Sequence, residues 1–322
     1  MDNILFDFQN DIIELRKHVD YIKNISSQVA KDSDTEIYIN SLSNRKFNYK
    51  SLVISLYGSV ESYAERFIMK YLEELSSLIK EYSNLKKTIQ DKNIYNTASL
   101  ALKVIEQKLI KYNHLKEVDL ISNLHSCIIN SSTYLINYEA FTMLTGNMTH
   151  SRMSDLFKQV GVDLNAKFAK YTDFNLSSEN QFKKLDELVE MRNEVAHGSI
   201  SSFLDPTQIE EYIDFIERYF RNLHLILEID IDQEKLNYWK NNHSVKIDNP
   251  IVFEGNIVGF DNVQNLTVSE TSLIIIQRAD ESCQLANVLN INKNANGSVT
   301  MKLAPTTHIK SNHRFYIKAE TL

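Results

Sequence analysis

A chain of 322 residues with 43% hydrophobic side chains has apolar material for a sizeable core in one large or two ordinary domains, which excludes a disordered tail. A formal charge of -7 excludes a protein that coats nucleic acid nonspecifically, since that binding draws on counterion release by many lysines and arginines; a small cleft cutting RNA stays open. Cys127 and Cys283, far apart, read as buried thiols, and with neither an uninterrupted run of 18 apolar residues nor a basic-then-apolar leader the expectation is cytoplasmic, with no membrane partner.

Ile4, Leu5, Phe8, Ile12, Leu15, Val19 and Ile22 recur at threes and fours, so residues 4–31 predict an amphipathic helix, interrupted at 40–44. A longer helical tract over 47–90 follows, carried by Leu52, Leu56, Val60, Phe67, Leu72 and Leu75. Within it Glu61 and Glu65 are four apart and share a face, with Tyr57 and Gly58 one turn above. The two glutamates read equally well as acidic members of a site or as surface, a solvent stripe or an ion-pair ladder with Arg66 and Lys70. A breaker at 91–96 precedes a helix over 98–111, another spans 120–144, and a short one runs from His150 or Ser151 to Val160, stopped by Gly161. Residues 162–178 mix loop and short helical turns.

The next helix, about 179–197, keeps Leu185, Leu188 and Val189 at helical spacing and ends at His197, because Gly198 tolerates the positive φ a helix end needs. Asp205-Pro206-Thr207-Gln208 then reads as a capped helix start, with the helix running to about residue 230. From 249 onward β-branched residues fall in short runs: 251–253, 265–268, 272–277, 297–303 and 314–319. Leu273 to Ile276 is too apolar for an edge and predicts a central strand, and residues 294–297 a turn. His308 and His313 lack a third ligand, so no metal is expected there. The change of character near 239–249 separates a helical domain, 1–235, from a β-rich one, 245–322.

The stretch that carries chemistry is Arg192-Asn193-Glu194-Val195-Ala196-His197-Gly198. Asn193 and His197, four apart, share a helix face, and Arg192 lies on its flank. Imidazole takes and gives protons near neutrality, and guanidinium grips phosphate oxygens in a bidentate fork, a pairing suited to phosphodiester cleavage. A second imidazole is missing, and two copies across a two-fold axis would supply it. For an arbitrary arginine and histidine at this spacing, a salt bridge and a helix cap are the commoner roles. Basic clusters at Arg45, Lys46 and Lys50, at Lys80, Lys86 and Lys87, and at Lys183 and Lys184 read as solvated helix surface or as local attraction for RNA.

The pattern Arg192-Asn-x-x-x-His197, set among long helices, resembles the signature of the HEPN superfamily, whose catalytically active members are metal-independent endoribonucleases. The resemblance covers about residues 1–230, with its specificity in seven residues. The fold expected is α+β: an N-terminal all-α HEPN-like bundle followed by a small C-terminal β-rich domain that the resemblance leaves unexplained. It implies a homodimer with the motif at its interface, and catalytic residues Arg192, Asn193 and His197 joined by Glu61 or Glu65 from an earlier helix. It also implies an RNA substrate cut by 2′-hydroxyl attack without metal or cofactor, and a toxin or antiviral effector held by an antitoxin or defence-complex partner. The alternative is a non-catalytic scaffold or nucleotide-binding module. A serine hydrolase is a poor fit, since Gly58-Ser59-Val60-Glu61-Ser62 lacks the strand-to-helix setting of a nucleophile elbow.

Overall fold

The spacing of Phe8, Ile12, Val19 and Ile22 buries one face of α1 (Asp2–Val29) against α2 (Thr35–Leu78) in the computed structural model. That model describes residues 1–29, 35–106, 110–129, 133–143, 146–174, 181–198, 203–260, 269, 271–294, 298–305 and 308–318, with the backbone alone described for 26–29 and 35–43. The described residues divide into two units, Met1–Glu228 and Ile229–Leu322.

The first unit is a bundle of α-helices. Phe8 of α1 sits 5.1 Å from the ring of Tyr63 and 4.7 Å from Phe220, so α1, α2 and α8 (Pro206–Asn242) meet at one aromatic cluster. Phe67, Ile213 and Leu223 are buried around it, and each such side chain stabilises the fold by roughly 1.5–3 kcal/mol. The expected interruption at 40–44 is helical, within α2, which ends at Leu78 rather than near residue 90. A 3-10 turn at Tyr82–Asn84 then leads into α3 (Lys87–Ile105), which runs straight through the expected breaker at 91–96. The polar residues that suggest a break face inward and satisfy one another: Asn93 Nδ2 donates to the Tyr82 hydroxyl at 3.2 Å, and Asn96 Nδ2 to Gln159 Oε1 at 2.8 Å.

The helix expected over 120–144 is shorter, α4 (Glu117–Ile128), followed by a 3-10 turn at Tyr138–Thr142. Next come α5 (His150–Lys158), α6 (Leu164–Tyr171) and α7 (Lys183–His197). Asp205 Oδ1 accepts the Thr207 and Gln208 N–H groups while Gln208 Oε1 accepts the Asp205 N–H, the reciprocal cap that the sequence predicts for α8.

The second unit takes the last turns of α8 and a seven-stranded antiparallel sheet: β1 (Ser244–Lys246), β2 (Ile251–Phe253), β3 (Ile257–Phe260), β4 (Leu273–Gln277), β5 (Cys283–Lys293), β6 (Val299–Pro305) and β7 (Arg314–Lys318), in the order β1-β7-β4-β5-β6-β3-β2. The apolar β4 run is interior because both its faces are covered. Ile274 and Ile276 join Val258, Met301, Leu303 and Phe315 in one core, while Ile275 packs with Leu236 of α8 and Cys283. That second contact explains why α8 continues past 230, to Asn242. β1, β3 and β5 were not expected. The expected strand at 265–268 and most of the turn at 294–297 lie outside the described residues.

Candidate active site

Helix α7 packs on α2 through buried Leu185, Leu188 and Val189. Gly198, at φ 74°, ends the helix in the left-handed region, so its last turn presents His197 to solvent. One turn back, Arg192 is half-buried. Its guanidinium carbon lies 5.0 Å from the ring centre of Tyr57 on α2, and its Nη1 donates to Asn193 Oδ1 at 3.0 Å. Among the described residues no carboxylate pairs with Arg192, and one of its five N–H groups is spent on Asn193. Of the commoner roles of such a motif, the salt bridge is not seen, since the arginine pairs with no described carboxylate, while exposed His197 does stand in the last turn of α7, where a cation meets the helix dipole favourably.

Tyr57 ties this arginine to Glu61. Its hydroxyl donates to Glu61 Oε1 at 2.8 Å and accepts the buried Met148 N–H at 3.1 Å. Burial pushes the Tyr57 hydroxyl up to about 12 against the pull of the Met148 N–H, the Glu61 hydrogen bond adds to the rise, and Arg192 opposes it. At neutral pH it is thus a fixed donor to Glu61. Of the two candidate glutamates, Glu61 joins the Arg192 network, whereas Glu65 pairs with Lys111 beside the ring of Tyr112. The amide of Asn193 serves the guanidinium. Tyr57 as platform and Lys111 as the partner of Glu65 were not expected; the four-residue step from Tyr57 to Glu61 is legible, but nothing in sequence links position 57 to 192.

A second histidine close to α7 is engaged at both ring nitrogens. His150 stacks on Phe182 with ring centres 3.5 Å apart, its Nδ1 meets the Tyr219 hydroxyl at 3.0 Å, and its Nε2 meets Asn165 Oδ1 at 2.8 Å. Burial holds it below the ordinary 6.5. It borders a cleft of about 720 Å³ with Ser154, Lys158, Gln181 and Asp186, at the end of α7 opposite His197. Two of the basic clusters are largely engaged by neighbours: Lys86 by Tyr71, Lys87 by Asp91, Lys183 by Glu187 and Lys184 by Glu211, while Arg45 and Lys46 are exposed.

Among the described residues, the His, Cys, Asp and Glu side chains with metal-like grouping are Asp2, His224 and Glu228. His224 Nε2 lies 3.1 Å from Asp2 and 3.7 Å from Glu228, but the Met1 ammonium sits 4.0 Å from Glu228 and 2.7 Å from Glu74, where it competes with a cation. None of the motif residues belongs to this group. No helix among the described residues is long and apolar enough to cross a membrane. A family model described as RiboL-PSP-HEPN matches residues 7–228. No curated protein and no solved structure matches the chain.

Proposed function

Because the chain belongs to the RiboL-PSP-HEPN family, within the HEPN ribonuclease-toxin superfamily, we propose that it is a metal-independent endoribonuclease whose working site is completed by a second copy. The observation that carries this reading is Arg192: half-buried on Tyr57, without a carboxylate partner among the described residues, and one turn from exposed His197. A guanidinium so held is an anion clamp.

In this mechanism Arg192 holds the scissile phosphate and offsets charge on its nonbridging oxygens. His197 of one copy takes the proton of the ribose 2′-hydroxyl, whose oxygen bonds to phosphorus, and His197 of the other protonates the departing 5′-oxygen as its bond to phosphorus breaks. The products are a 2′,3′-cyclic phosphate and a 5′-hydroxyl. Asn193 and, through Tyr57, Glu61 position the guanidinium, while Glu65 pairs with Lys111. The 2′-hydroxyl is the nucleophile, so the reaction calls for no metal or cofactor. Uncontrolled RNA cutting suits a toxin or antiviral effector, with the β-rich unit as the place where a restraining or activating partner docks.

The test is incubation of the full chain with mixed RNAs and matched DNA in excess chelator. RNA cut to cyclic-phosphate ends, DNA left intact, and His197→Ala inactive with an unchanged melt support the reading. DNA cleavage under chelator, or full activity in His197→Ala, overturns it. An inert wild-type chain that remains monomeric favours the scaffold instead.

A further inference from the structure

Helices α3 and α4 wear their polarity inverted. Toward the bundle α3 turns Asn93, Asn96 and Thr97 along with Ile89 and Leu100, while Tyr95, Leu102 and Ile105 form a stripe on its opposite side. Helix α4 buries Leu120 and Cys127 and turns Val118, Ile121 and Ile128 outward. These six outward side chains are 56–70% exposed. Between the two helices, Ile110 is 87% exposed. Asn137 pins the inner faces together: its Nδ2 donates to Thr97 Oγ1 at 3.3 Å and to the Leu120 carbonyl at 2.9 Å, and its Oδ1 accepts from Asn123 at 2.9 Å. The two apolar stripes thus lie on neighbouring, packed helices.

We infer that this face docks a second copy of the same chain, α3 of one against α4 of the other. The exposed apolar surface of those residues is on the order of 800 Å², what one partner contributes to a standard stable interface and more than the patch an ordinary monomer leaves bare. The rim carries both signs. On α3 these are Lys92 and Lys103 with Asp91 and, at its C-terminal cap, Glu106, and on α4 Glu117 and Asp119, and a two-fold axis that lays α3 on α4 repeats the same contact in both halves. Arg192, Asn193 and His197 are not on this face. The contact is therefore additional to the pairing of motif helices and does not rest on the nuclease reading.

Sedimentation equilibrium of the full chain tests it. Leu102→Glu and Ile121→Lys, both at exposed positions, are each expected to weaken one association step roughly a hundredfold or more, because each contact then holds an unpaired charge against an apolar side chain. An equimolar mixture of the two variants restores the step, since the introduced carboxylate meets the introduced ammonium across one half of the axis and the native pair remains in the other. Circular dichroism and melts stay as in the parent, and His197→Ala leaves the mass unchanged. The inference is overturned if the wild-type chain is monomeric up to about 100 µM, if either variant associates normally, if mixing restores nothing, or if the chain stays monomeric while the face binds lipid vesicles or a different protein.

Discussion

Replacing Tyr57 by phenylalanine separates the two tasks of that side chain. The ring, and with it the seat of Arg192, remains; the hydroxyl that donates to Glu61 and accepts the Met148 N–H is lost. Met148 is fully buried, so its amide is stranded, at a cost of about 1–3 kcal/mol. Glu61 is only half-buried and regains water, so it adds little. At roughly 2–4 °C per kcal/mol for a domain of this size, the melt drops by a few to about ten degrees. The pH profile gives a second reading. An unfolded tyrosine ionises near 10 and folded Tyr57 near 12, so between those values the unfolded chain has released a proton that the folded one keeps. Stability therefore falls as pH rises from 10 to 12, and the Tyr57 share of that fall, on the order of 3 kcal/mol, is absent in Tyr57→Phe. Cleavage of RNA falls by less than about tenfold in Tyr57→Phe and much further in Tyr57→Leu, where the cation–π seat is gone as well. The reasoning fails if thermal scans of the phenylalanine variant overlay the parent at pH 7, or if the two variants cut RNA equally.

Arg192→Lys keeps the charge and loses the planar fork, and is expected to lose most cleavage in a single-turnover assay; a lysine variant as fast as the parent removes Arg192 from the phosphate. His150 is held below 6.5 by burial, among Phe182, Tyr219, Asn165 and Asp186, so the unfolded chain binds protons first on acidification and stability declines as pH falls below 6.5; His150→Gln should flatten that part of a denaturant-midpoint series. A chain ending at 228 is expected to stay helical and dispersed, whereas one ending at 242 bares Leu236 and Trp239, which pack on the sheet, and should self-associate in light scattering; the reverse result would unseat the division near Glu228.

Legibility followed the range of the interactions. The cap at Asp205 and the end of α7 at Gly198 are local events, written within four residues of the boundary they set, and both could be read directly. The start of α3 could not, because Asn93 and Asn96 belong in a helix only once Tyr82 and Gln159 are beside them. β5 was hidden for a related reason: Asn287, Asn290 and Asn292 dilute its β-branched signal, and a register shift between Val288 and Asn290 breaks its alternation, leaving Leu289 exposed. In the site, the arginine, amide and histidine stand together in seven residues, while their support from α2 depends on a contact between positions 57 and 192 that local periodicity does not encode.

Among the described residues the sheet of the second unit ends on both sides in strands of three residues, β1 and β2. At those two borders an incoming strand finds only one or two outward backbone pairs, and among the described residues the longer open edge is the far half of β5, Val288–Lys293, which pairs with β6 but not with β4. A partner that contributes only an extended, sequence-tolerant backbone would therefore find little to hold at β1 or β2 and more along that half of β5.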